Sequence, residues 1–146
     1  MKRILLDVNL ILDVLLDRRP NADAASSVWG AVEQGRVEGL LSAHAVTAIH
    51  YLSARAAGAK AARDTTTALL SVFGVAAVDE TVLLAAGALG FKDFEDAVTA
   101  AAAERAKCVA IVTSNPRDFK ASPIRVLTAP EAAAWLGAAD ERVRTR

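Results

Sequence analysis

Asp93 and Asp96 stand three residues apart at the head of an alanine-rich stretch, Phe91-Lys92-Asp93-Phe94-Glu95-Asp96-Ala97-Val98-Thr99-Ala100-Ala101-Ala102-Ala103. With a helix starting at about Phe94, that spacing sets both carboxylates on one face of the first turn, above a column of small side chains. A carboxylate pair so placed can hold a hard cation. The same residues also suit a plain helix start, in which Asp93 caps free N–H groups and Asp96 answers the macrodipole. Acids delivered from distant parts of the chain decide between the two.

Two further segments bring them. Arg3-Ile4-Leu5-Leu6-Asp7 is a short apolar run ending in an acid, followed by Val8-Asn9 and then Leu10, Ile11, Val14 and Leu15 at helical spacing. That pattern predicts a buried parallel strand carrying Asp7 at its carboxyl end and a helix from Asn9, with Asp13 and Asp17 on the far, solvated face. Val109-Ala110-Ile111-Val112-Thr113 is the most strand-like run, and Ser114-Asn115-Pro116-Arg117-Asp118-Phe119 is the loop at its carboxyl end. Ligands of open α/β sheets bind in the crevice beyond the strand carboxyl ends, so Asp7, Asp93, Asp96, Asn115 and Asp118 are predicted to share one edge. Carboxylates gathered without a counter-charge repel and raise one another's pKa. For oxygen ligands with no cysteine and no organised histidine, magnesium or manganese is the natural counter-charge.

The rest of the chain supplies the frame. A helix is expected from Asn21 or Asp23 to about Gln34, closed by Gly35, and a strand over 37–42. Ser42 would cap a helix Ala43–Ala57 ended by Gly58, with another helix over 60–73. A strand over 75–79, a helix over 80–89, the acidic helix to near Lys107, a last strand over 124–127 and a closing helix over 130–136 follow. Strands alternate with helices, which predicts a three-layer α/β/α sandwich around a parallel sheet of four or five strands. Residues 1–136 read as one domain, and 137–146 as a polar tail with a basic end, expected to be mobile.

Lys+Arg and Asp+Glu number 17 each in 146 residues, so no overall field attracts a polyanion, and any nucleic-acid contact must rest on a local basic patch. Arg117 and Lys120, flanking the crevice loop, are the candidates for phosphate contact. Cys108 is the sole cysteine, which excludes an internal disulfide and a multi-cysteine zinc site; its apolar neighbours predict a buried thiol. The basic start meets Asp7 too soon for a signal-peptide core, and no apolar run approaches membrane-spanning length, so the chain reads as cytosolic.

The three acidic segments, in this order, resemble those of the PIN-domain ribonucleases, and among them the toxins of the bacterial VapBC type. Leu5-Leu6-Asp7-Val8-Asn9 is similar to the family's opening aspartate and asparagine, Lys92-Asp93-Phe94-Glu95-Asp96-Ala97 to its central acidic helix start, and Val112-Thr113-Ser114-Asn115-Pro116-Arg117-Asp118-Phe119 to its closing loop. The resemblance implies hydrolysis of RNA phosphodiesters with Mg2+ or Mn2+. Asp7 and Asp96 match core metal-binding acids, and Asp93 an acid found one turn earlier in some members. Asn115 falls where many members have a fourth acid, with Asn9 and Thr113 as supporting residues. Asp118 is then either a substitute ligand or a loop-capping residue. Many members also carry a glutamate on the helix after the second strand, where this chain has Ala48; Thr47 or His50 could stand in, while His44, six residues from His50, cannot pair with it on one helical face.

The resemblance further implies a homodimer silenced by an antitoxin whose arginine reaches the carboxylates. Trp29, Val46, Ile49, Tyr51 and Leu52 are more apolar surface than one face need bury, which points to an interface on the helices flanking the second strand. A different class of function, a catalytically weakened fold that binds RNA or a partner protein, follows if the absent glutamate disables the site. A phosphatase with Asp7 as nucleophile commonly wants a second acid where Asn9 stands. A dinucleotide-binding role lacks the glycine-rich turn after the first strand.

Overall fold

The computed structural model describes the backbone of residues 1–144 and the side chains of residues 1–138. Among the described residues five strands form one sheet: β1 (Arg3–Leu6), β2 (Glu38–Ser42), β3 (Gly74–Ala76), β4 (Ala110–Val112) and β5 (Arg125–Leu127). All pair in parallel, in the order β3-β2-β1-β4-β5. The runs lack polar alternation because both faces are covered, as parallel sheets require.

The pleat divides the core. Ile4 and Leu6 face a cluster built with α1 (Val8–Leu15), α2 (Ala22–Glu33), α3 (Ala43–Ala57), α4 (Ala59–Val72) and α7 (Ala129–Arg144). Leu5, Leu40 and Ile111 face the other, built with α5 (Glu80–Gly87) and α6 (Phe94–Arg105). The alanines of α6 from Ala100 to Ala103 are all buried, so small side chains let that helix lie close on the sheet. β1 is central. The chain leaves it toward β2 and returns on its other flank as β4, so the switch point lies at the carboxyl ends of β1 and β4.

Several expectations need correction. Asp13, expected in solvent, is 4% exposed, because the whole circumference of α1 from Leu10 to Asp13 is covered. The loop after α1 folds back on it, with Arg18 N–H donating to the Asp13 carbonyl at 2.9 Å. The third strand stops at Ala76, and Asp79 instead caps α5 by accepting from Val82 N–H at 3.0 Å. The closing helix does not end near Leu136 but runs to Arg144; the remainder of the expected mobile tail, and its side chains from residue 139, lie outside the described residues.

Of the five apolar residues expected to form an interface, three pack inward. Ile49 is fully buried, Val46 rests against the core, and Trp29 meets Phe73 edge-on with ring centres 5.1 Å apart. Tyr51 and Leu52 remain exposed. Cys108 is buried as expected, and burial pushes its thiol up to about 11. Among the described residues no helix is long and apolar enough to cross a membrane.

Candidate active site

Asp7 is the first residue past β1, and its N–H still bonds the Val112 carbonyl at 2.9 Å, so its side chain is held at the sheet edge beside β4. One carboxylate oxygen accepts from Val8 N–H at 2.8 Å, capping α1, and the other accepts from the Thr113 hydroxyl at 2.9 Å. Thr113 is fully buried and its Oγ1 accepts in turn from Asn115 N–H at 3.0 Å, so the loop after β4 is tied to Asp7 through one hydroxyl. Burial pushes the Asp7 carboxyl above its usual range, against the hydrogen bonds from Thr113, Val8 and the Asn9 side chain; the Asp118 charge adds to the rise.

Asp93 caps α6, accepting from Asp96 N–H at 3.1 Å. The capping role is therefore real, but it does not account for Asp96, whose carboxyl is pushed up to about 7. Burial is the first cause, followed by the charges of Asp93, Asp7, Asp118 and Glu95. A helix N-terminus alone would favour the charged form. Three separate segments thus set acids within one another's field, which is the convergence expected from their places in the sequence.

Asp118 lies in a single turn of 3-10 helix, Pro116–Phe119. Phe119 is buried edge-on against Phe91, ring centres 5.8 Å apart, which fixes that turn against the loop leading into α6. Between them opens a groove of about 550 Å³, lined by Lys92, Asp93, Asp96, Arg117, Asp118 and Lys120. Arg117 and Lys120 are thus where the sequence put them, and Lys92, which composition did not single out, joins them. No described ion pair ties up any of the three.

The histidines exchange roles. His50 is turned to α4, its Nδ1 2.9 Å from the Thr66 hydroxyl, and is not brought to the acids. Thr47, exposed, donates to the His44 carbonyl at 2.8 Å. His44 instead reaches α6, its Nε2 3.2 Å from the Glu95 carbonyl and 3.4 Å from the Thr99 hydroxyl. His44 and Ala48 are four residues apart on one face of α3, and that spacing was the available signal.

Among the described residues no three histidine, cysteine, aspartate or glutamate side chains close around a point fit for an ion. That does not disqualify a cation of the magnesium type, which keeps several waters and takes only one or two carboxylates from the protein. The oxygen donors, and the raised carboxyls of Asp7 and Asp96, fit such a group. The Thr113 hydroxyl gives a direct test of the site's frame: Thr113→Val should cost about 1–3 kcal/mol in urea unfolding by orphaning the buried Asp7 carboxylate, while Thr113→Ser should lose less.

The chain is 26% identical over 134 residues to Ribonuclease VapC1 of Aquifex aeolicus (strain VF5), covering 89% of this chain and 92% of the relative. Its fold is similar to that in the structure of VapBC2 from Rickettsia felis bound to a DNA fragment from their promoter, with TM-score 0.69, 13% identity, and coverage of 86% and 98% of the two chains. VapC20 of Mycobacterium tuberculosis, a sarcin-ricin loop cleaving toxin, is similar at TM-score 0.59 with 17% identity, over 74% of this chain and 86% of that one. Residues 3–117 match the family described as the PIN domain, and the chain belongs to that family.

Proposed function

We propose that the protein is a metal-dependent endoribonuclease, the toxin of a toxin–antitoxin pair, taking Mg2+ or Mn2+ at Asp7, Asp93 and Asp96. The observation that carries this is the convergence at the switch point of the sheet, where Asp96 is pushed up to about 7 by burial first and then by the charges of Asp93, Asp7, Asp118 and Glu95. Acids are brought together against their own repulsion only where a counter-charge serves a function. The Aquifex relative's name, a ribonuclease, supports the reaction class.

When bound, the cation activates a water and offsets the charge that builds on the phosphoryl oxygens. The chain's own residues do the rest. Thr113 and the Val8 amide each donate to one oxygen of Asp7, which orients its carboxylate before substrate arrives. Asp96 would offer its carboxylate to the cation in the ionised form, which the positive charge favours. Asp118 adds negative charge from the loop, and no described hydrogen bond makes it a loop cap. Arg117 and Lys120, with Lys92, contact RNA phosphates along the groove.

The homodimer would use the exposed Tyr51 and Leu52 of α3. An antitoxin arginine entering the groove would match the paired carboxylates bidentately and exclude the cation. The VapBC complexes among the similar structures support an antitoxin partner.

A second reading has one observation in its favour: α3 presents Ala48 where an acid is expected, so the fold could bind RNA without cutting it. Purified protein incubated with an RNA oligonucleotide separates the two. Cleavage should vanish with a chelator and return with Mn2+ or Mg2+ but not Zn2+. Tight RNA binding with no cleavage under any of these ions would establish the binding module instead.

A further inference from the structure

Ser42 is the last residue of β2 and is fully buried, yet its hydroxyl has no hydrogen-bond partner. It also stands at the N-cap of α3, where a serine ordinarily accepts from the first-turn N–H groups, and it makes no such bond. The capping acids Asp7, Asp79 and Asp93 all do. An unpaired buried hydroxyl costs about 1–3 kcal/mol, so this position is maintained at a loss unless something outside the chain completes it.

Its place in the sheet says where that partner arrives. β1 and β2 pair Leu5 with Leu40, so two residues further along the same parallel register Ser42 comes beside Asp7. On the other flank Leu6 pairs with Val112, which sets Thr113 beside Asp7. Leu5, Leu40, Ala76 and Ile111 all face α6, and by the two-residue period so do Ser42, Asp7 and Thr113. Asp7 therefore lies between two hydroxyls from the two neighbouring strands; Thr113 is engaged with it and Ser42 is not.

The α3 side is also pinned. His44, two residues on, reaches the Glu95 carbonyl of α6 at 3.2 Å, one residue from Asp96, so this end of α3 is tied to the head of the acidic helix. This is the side on which α3 offers Ala48 and no acid.

We propose that Ser42 belongs to the cation site: its hydroxyl is a hydrogen-bonding partner for the water shell of a divalent cation held by Asp7 and Asp96, on the flank where α3 brings no carboxylate. The proposal rests on the metal-dependent reading above and assigns one more residue to it. A magnesium-type ion keeps most of its waters, and those waters need partners from the protein. A neutral hydroxyl serves there without adding to the repulsion among the acids.

The test reads stability and ion binding, neither of which needs RNA cleavage. Ser42→Ala and Ser42→Cys both keep nearly the size of serine while losing its hydrogen-bonding capacity, so one variant checks the other. Both are expected to melt at or above the wild-type temperature without metal and to bind Mn2+ about 5- to 20-fold more weakly by calorimetry, in line with loss of a supporting partner. A fall in melting temperature of several degrees in both would show that Ser42 caps α3 after all and would overturn the proposal. Unchanged Mn2+ affinity, or no Mn2+ binding by the wild type, would overturn it as well. Ser42-dependent Mn2+ binding by a protein that cuts no RNA would uphold the proposal and sink the ribonuclease reading alone.

Discussion

Asp96→Asn is expected to abolish RNA cleavage while raising the melting temperature of the metal-free protein. The two effects have one cause. The carboxyl of Asp96 is pushed up to about 7 by burial and by the charges of Asp93, Asp7, Asp118 and Glu95, so its ionised form is held in the fold against an opposing field. The helix dipole works the other way, favouring an acid in the first turn of α6 by about 0.3–1 kcal/mol. Since the shift is upward, repulsion and desolvation win. Asparagine removes the charge and keeps the shape, so the melting temperature should rise by roughly a few degrees.

Activity should fall by about 1000-fold or more, because charge stabilisation by a held cation is worth several kcal/mol and each 1.4 kcal/mol is tenfold. Asp93→Asn makes the control, since asparagine caps about as well as aspartate and should leave stability within about 1 kcal/mol. Thermal melts and gel-based cleavage assays read both quantities. An Asp96→Asn protein that cleaves at the wild-type rate would return the acidic stretch to a helix cap and nothing more.

The frame of the molecule was open to sequence reasoning because each signal was local. β1 ends where Leu6 meets Asp7, α3 spans the predicted Ala43–Ala57, and α6 begins at Phe94. The convergence of Asp7, Asp96 and Asp118 could be anticipated for the same reason: strand carboxyl ends share an edge whatever the details of packing. What failed depended on how elements cover one another. Asp13 looks solvated on a helical wheel, but a wheel does not show that the loop through Arg18 folds back over α1.

His44 was set aside because it cannot pair with His50 on one helical face. The relevant partners were backbone and side chain of α6, more than fifty residues away in sequence. Ser42 was correctly placed at the N-cap of α3, and only the packed structure reveals that it does not cap. The extension of α7 past Leu136 was hidden by a polar composition that a helix end tolerates as readily as a loop does.

Stability of the metal-free protein should fall as pH rises from 5 to 8. Asp96 in the fold titrates at about 7 and Asp7 also above its ordinary value, whereas in the unfolded chain both titrate near 3.9. Between those limits the native state holds more protons than the unfolded state, so the slope of unfolding free energy with pH is negative. The contribution of Asp96 is present in full below about 4 and is lost as pH passes through 7. Other shifted groups act outside this range: Glu131, held below its usual value by hydrogen bonds from Thr128, acts below it, and the Cys108 thiol at about 11 acts above it. Melting curves at pH 5, 6, 7 and 8 measure the slope, and Asp96→Asn should flatten it. Saturating Mn2+ should act in the opposite sense, raising the melting temperature more at pH 8 than at pH 5, because the ion binds the deprotonated acids of the folded state only. A wild-type protein that grows more stable between pH 5 and 8 without metal would mean that these carboxylates are paired within the chain, leaving no charge for a cation to offset.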